Sequence, residues 1–113
     1  MKNFTLDEFK CKCCGQVKMD DSFLSMIDRA RELSGVSFNI LSGYRCDKHD
    51  AEVDGKGNHN QGKASDIKTE SSQERFAILT GLILTGFTRI GIAKTFIHAD
   101  NCSDKPQRVV WLY

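Results

Sequence analysis

Residues 46–64 set the tightest limit on how this chain can fold: the stretch is polar, punctuated by Gly55, Gly57 and Gly62, and carries neither a helical nor a strand-like apolar period. The core must therefore come from the sequence on either side of it. With 113 residues, 40% of them hydrophobic, there is material for one core, and residues 1–113 are expected to form a single domain. Unstructured loops of this length are usually functional or disordered, and this one holds His49 and His59 of the chain's three histidines. Function is expected from it.

The flanking sequence is periodic. Residues 5–9 can make one helical turn that plants Phe4, Leu6 and Phe9 on the body, ahead of a cysteine-rich turn ending at Gly15. Asp20 reads as a helix cap with Met19 stapling onto Leu24, which predicts a helix over residues 21–33 burying Phe23, Ile27, Ala30 and Leu33. Gly35 closes it, and residues 37–41 read as a strand, with Phe38 and Ile40 on one face, that delivers Ser42-Gly43-Tyr44-Arg45. Beyond the loop, residues 64–67 form a short strand and Ser71-Ser72-Gln73-Glu74 spells a capping box. The second helix is expected to bury Phe76, Leu79, Ile83 and Phe87. Three closing strands follow over 88–92, 96–99 and 108–113, joined by tight turns, with Pro106 in the last connection. This order predicts an α+β fold: a small antiparallel sheet with helices packed on one side.

Charge and hydropathy exclude several functions. A net charge of +1 without a Lys/Arg block argues against a partner bound through phosphate neutralisation, so no nucleic acid is expected. The longest apolar run, 76–87, is broken by Thr80, Gly81, Thr85 and Gly86 and is too short for a bilayer span. Residues 1–9 lack the pattern of a secretory signal, so cytoplasmic synthesis is expected, and the expected form is a monomer. The five cysteines cannot all pair within one chain. Cys11 and Cys14 form a C-x-x-C, a redox pair or half of a structural zinc site. Cys46 is the natural further thiol, and Cys13 or Cys102 are also possible. Small buried residues that stay reduced are the plain alternative.

The chemistry-bearing constellation is His59-Asn60-Gln61-Gly62-Lys63-Ala64-Ser65-Asp66, followed downstream by His98-Ala99-Asp100. Two imidazoles and a carboxylate suffice for a catalytic zinc that keeps a position open for water. The interval between His59 and Asp66 suits a turn running into a strand, where Gly62 and Ala64 would let the backbone pass close to the metal. Singly, each residue could be an ordinary satisfied polar group. Together, H-x-x-G-x-A-x-D, the later H-x-D and the upstream S-G-Y-R resemble the zinc D-alanyl-D-alanine carboxypeptidase and L-alanyl-D-glutamate endopeptidase family, which shares its core with lysostaphin-type enzymes and the hedgehog signalling domain. The opening Phe4-Thr5-Leu6-Asp7-Glu8-Phe9 and its cysteines are similar to short phage and bacterial members. The resemblance implies one catalytic Zn2+ on His59, Asp66 and His98, with Arg45 facing the substrate carboxylate or the developing oxyanion. The implied substrate is the peptide part of peptidoglycan, reached after release or delivery to the cell wall. Arg45 could instead form an ordinary salt bridge. Asp100, on the strand face of His98, could hold the imidazole N–H, move a proton, or be an exposed strand-end carboxylate. His49 could bind substrate or stand solvated, and Ser42 and Tyr44 could line the cleft.

The sequence departs from that family at the general base. Well-known members carry an acidic residue three before the last histidine, where Thr95 stands, and the hedgehog-like arrangement carries one six before, where Ile92 stands. Asp100, Asp47, Asp50 or Asp54 would have to activate the water. Three functions therefore remain open: a peptidoglycan peptidase, a non-hydrolytic zinc-binding wall or virion protein, and a structural zinc module built on Cys11, Cys14 and Cys46.

Overall fold

The computed structural model describes residues 2–52 and 57–113; the sequence-stretch punctuation at Gly55 and the carboxylate Asp54 lie outside them. A 3-10 turn at Leu6–Phe9 is followed by α1 (Asp21–Ser34), β1 (Ile40–Ser42), α2 (Asp47–Glu52), a second 3-10 turn (His59–Gln61), β2 (Ala64–Lys68), α3 (Ser72–Thr85), β3 (Arg89–Ile92), β4 (Phe96–Asp100) and β5 (Val109–Leu112). The strands form one sheet in the order β1-β2-β4-β3-β5. All neighbours are antiparallel except β3 and β5, which run parallel, so the expected antiparallel sheet gains one parallel pair at its edge. Because β3 lies between β4 and β5, no tight turn can join those two; residues 101–108 carry the chain past the start of β3 to the sheet edge, and that is where Pro106 falls.

The α1 signals act locally as their chemistry dictates. The Asp20 carboxylate accepts from the Phe23 N–H at 3.0 Å, a cap of about 1 kcal/mol, and Gly35 ends the helix with φ 74°. Phe23, Leu24, Ile27 and Ala30 are buried, whereas Leu33 is 42% exposed and not the core residue expected. In α3 the Ser71 hydroxyl accepts from Glu74 N–H as a capping box requires, but the Glu74 carboxylate reaches the N–H of Glu70 rather than that of Ser71. The buried face of α3 is Ile78, Gly81 and Leu82; Phe76 is 72% and Ile83 55% exposed, reversing the predicted stripe, although Leu79 and Phe87 do join the core. Gly81 decides this: its missing Cβ is where the Ala30 carbonyl of α1 sits, so the helices meet along that face.

The sheet divides core from site. Ile67, Ile97, Ala99 and Ile90 face α1 and α3 and share their core with Phe4, Phe9, Phe23 and Phe38. Strand alternation sends Asp66, His98 and Asp100 to the opposite face. No helix among the described residues is long and apolar enough to cross a membrane.

Candidate metal centre

One transverse row of the sheet builds most of the site. Ser42, Asp66, His98, Gly91 and Trp111 stand opposite one another in turn across all five strands. The row fixes Asp66 beside His98, and the Asp66 Oδ1 lies 2.9 Å from His98 Nδ1. Gly91 explains the next neighbour: a Cβ there would stand 2.5 Å from Trp111 Nε1, so only glycine lets the indole lean in until its ring centroid is 5.5 Å from that of His98. Trp111 received no role from the sequence. Its placement in alternation with Tyr113 on the last strand was the available signal.

His59 arrives from outside the sheet. Its 3-10 turn ends at Gly62 with φ 71°, and the Gly62 carbonyl accepts from the Asp20 N–H at 2.9 Å. A side chain on Gly62 would collide with the backbone of Lys18 and Met19, so this glycine permits approach to the start of α1, not to a metal as the sequence suggested. The expected long loop is thus partly ordered, by α2 and by this turn. The Gly43 carbonyl accepts from His59 Nδ1 at 2.8 Å, which leaves the Nε2 lone pair free, 3.5 Å from Asp66 Oδ1. Among the described residues His59, Asp66 and His98 have ligand atoms all within 4.8 Å of one another.

The charges around them are paired. Asp100 is fully buried: its Oδ2 lies 2.7 Å from His98 Nε2, and its Oδ1 accepts from Arg89 Nε at 2.7 Å and Cys102 N–H at 3.1 Å. Both oxygens are engaged and neither meets solvent, so the exposed strand-end alternative is gone. Arg89 is held further by the Pro106 carbonyl and lies over the Trp111 ring. Burial disfavours charge on His98, but hydrogen bonds to Asp100 and Asp66 outweigh it and raise its pKa above 6.5. Burial likewise opposes ionisation of Asp66, yet the His59 and His98 rings against it hold its carboxyl well below the usual range.

Arg45 comes from the turn after β1. Its guanidinium lies 3.6 Å from Asp66 Oδ2 and 3.4 Å from the buried Asp50, and donates to the Ser42 hydroxyl at 3.1 Å. With Lys12, Leu41, Ser42 and His49 it lines a cleft of about 280 Å³. Tyr44 is buried, its N–H bound to the Phe9 carbonyl. Asp47 is exposed and accepts from the Asn60 amide at 3.0 Å. Thr95 lies in the turn between β3 and β4, and Ile92 pairs with Ile97 on β4, so neither position adds a carboxylate to the site.

Cys11, Cys14 and Cys46 form a second group with ligand atoms within 4.8 Å of one another. Burial opposes ionisation of Cys11, but hydrogen bonds from the Cys46, Cys14 and Cys13 backbone and from His49 bring its thiol down to about 6. Cys102 is remote from this group in role: buried beside Asp100, it is pushed up to about 11. His49 lies against Cys11, its Nδ1 3.5 Å from Sγ, a placement the sequence reading missed. The signal was Cys46-x-x-His49 repeating the spacing of Cys11-x-x-Cys14.

A family model described as Peptidase M15 matches residues 2–100, from the first 3-10 turn through His98 and Asp100 but short of Trp111. No curated protein matches the chain.

Proposed function

Because the chain belongs to the peptidase M15 family, whose members are zinc-dependent, we propose that it hydrolyses a peptide bond in the stem or cross-link of bacterial peptidoglycan, with zinc on His59, Asp66 and His98. The observation that carries this reading is the convergence of His59 Nε2, Asp66 Oδ1 and His98 Nδ1, with the far nitrogen of each ring tied to Gly43 or Asp100. This donor set fits zinc: two imidazoles and one carboxylate, near enough to share an ion, with fixed tautomers behind them. Zinc bound there supplies Lewis acidity, polarising a carbonyl oxygen and acidifying water.

The chain's own residues do the rest. Asp100 orients His98 and keeps its Nε2 protonated so that Nδ1 presents a lone pair to the metal. Arg45 and Lys12 give the cleft a cationic wall suited to the carboxylates of a peptidoglycan stem peptide, and Arg45 supplies planar donors for one of them. The Asp50 carboxylate restrains Arg45 from the far side, so a substrate carboxylate competes with Asp66 and Asp50 for an arginine already in place. Trp111 screens His98 on the β5 side.

Digestion of purified peptidoglycan and of defined muropeptides, read by mass spectrometry, tests the proposal. Wild type should release a single class of peptide product, and Asp66→Ala should release none. Zinc-loaded wild type that cleaves no wall type at any pH would leave the non-hydrolytic binding reading in its place.

A further inference from the structure

Residues 11–14 and 46–49 meet beside the Arg45 turn. Cys11 Sγ is 3.7 Å from Cys46 Sγ and 3.5 Å from His49 Nδ1. With Zn–S near 2.3 Å and Zn–N near 2.0 Å, tetrahedral geometry sets ligand-to-ligand edges of about 3.8 Å for S···S and about 3.6 Å for S···N. The observed spacings match those edges. They are too long for a disulfide, whose sulfurs lie about 2.0 Å apart. The sequence pattern is that of a closed site as well: Cys11-x-x-Cys14 from a turn and Cys46-x-x-His49 from the start of α2 offer paired ligands.

Further hydrogen bonds favour thiolates. The Cys46 N–H points at Cys11 Sγ at 3.4 Å, and the His49 N–H points at Cys46 Sγ at 3.5 Å. Backbone donors aimed at sulfur stabilise the anion that binds a soft metal.

We propose that Cys11, Cys14, Cys46 and His49 form a second, structural zinc site. It clamps the N-terminal turn to the segment that carries Gly43 and Arg45. That segment needs a clamp: Tyr44 N–H binds the Phe9 carbonyl, Gly43 packs so close to Phe9 that a Cβ would stand 2.7 Å from its Cα, and Gly43 in turn holds His59. The site does not depend on the hydrolytic reading.

Metal analysis of protein purified under reducing conditions tests it. Wild type should carry two zinc ions per chain. His59→Ala should retain one, and Cys14→Ser and His49→Ala should each lose one while His49→Cys keeps both. Loading the His59→Ala protein with Co2+ should give a thiolate-to-cobalt charge-transfer band in the near ultraviolet, absent when Cys14→Ser is added. Cys14 is exposed, so its replacement leaves the core intact, and the cobalt spectrum of His59→Ala decides the matter even if the serine variant misfolds. One zinc in wild type and none in His59→Ala overturns the clamp and leaves the hydrolytic proposal standing. A disulfide among Cys11, Cys14 and Cys46 in place of zinc also overturns it. Two zinc ions without peptide cleavage overturns only the hydrolytic reading.

Discussion

The two clusters of metal-binding side chains are held by different means. Asp66 and His98 stand directly opposite each other on adjacent strands, and the backbone ladder between β2 and β4 sets their separation before any ion arrives. Each also has a partner behind it, Asp100 for His98 and Arg45 for Asp66. Cys11 and Cys46 lie on a turn and at the mouth of α2, with no strand ladder between those segments among the described residues. The sheet therefore pre-organises one site, whereas the other must order its own chain, at an entropic cost that ligand bonds would offset. Removing a ligand from the first should damage chemistry more than fold; removing the occupant of the second should loosen structure locally.

The largest expected effect breaks the first site at its centre. Asp66→Ala should abolish zinc binding there and reduce muropeptide hydrolysis to background, while circular dichroism keeps the wild-type form. Unfolding of this variant would show that the sheet register does not by itself maintain the site. Asp100→Asn comes next. Its amide oxygen can still accept from His98, but Arg89 loses its charged partner, so zinc affinity or turnover should fall about 10- to 100-fold, as measured by competition with a chelating dye. Asp100→Ala should cost stability too, about 3–5 kcal/mol, because it leaves a buried guanidinium unpaired.

Chelation sharpens the contrast. A strong chelator should stop hydrolysis without opening the sheet, so the amides of Ser65, Ile67, Ile97 and Ala99 stay protected from hydrogen exchange. Residues 10–16 and 44–49 should exchange faster, and Lys10 and Lys12 should become sites of tryptic cleavage. Uniform loss of protection would erase the distinction between the two sites.

What the sequence revealed follows the same division. Asp20, Gly35 and Ser71 act through backbone groups within one turn, so their roles were legible from local chemistry. The α3 face was not, because Phe76, Ile78, Ile83 and Leu84 make that helix apolar nearly all round, and only the close approach of Gly81 to Ala30 selects a side. The parallel β5 depended on residues 101–108 carrying the chain past β3 to the sheet edge, which no local pattern encodes. His59, Asp66 and His98 were readable as a set because their motif spacing reflects a turn, a strand and its partner. Trp111 and Arg89 were not, since their place in the site depends on tertiary packing: Gly91 makes room for the indole, and burial brings the guanidinium to Asp100.

The smallest effect concerns pH and the metal-free protein. The His98 pKa lies above its ordinary 6.5, so the stability it contributes is complete below that value and is lost as pH rises through the folded pKa. Asp66 and Asp100 lie below their ordinary 3.8, so their contribution is present above that value and is lost as pH falls through the folded values. The Tm of the metal-free protein should therefore be greatest between these limits and decline on either side, by about 4 °C for each kcal/mol lost. Zinc replaces the proton on His98 Nδ1, so zinc-loaded protein should show no alkaline decline, and loading should release protons, which calorimetry in buffers of different ionisation enthalpy can count. An alkaline decline of equal size with and without zinc would mean that some group other than His98 governs it, and that the carboxylates flanking this imidazole do not hold its proton in the metal-free state.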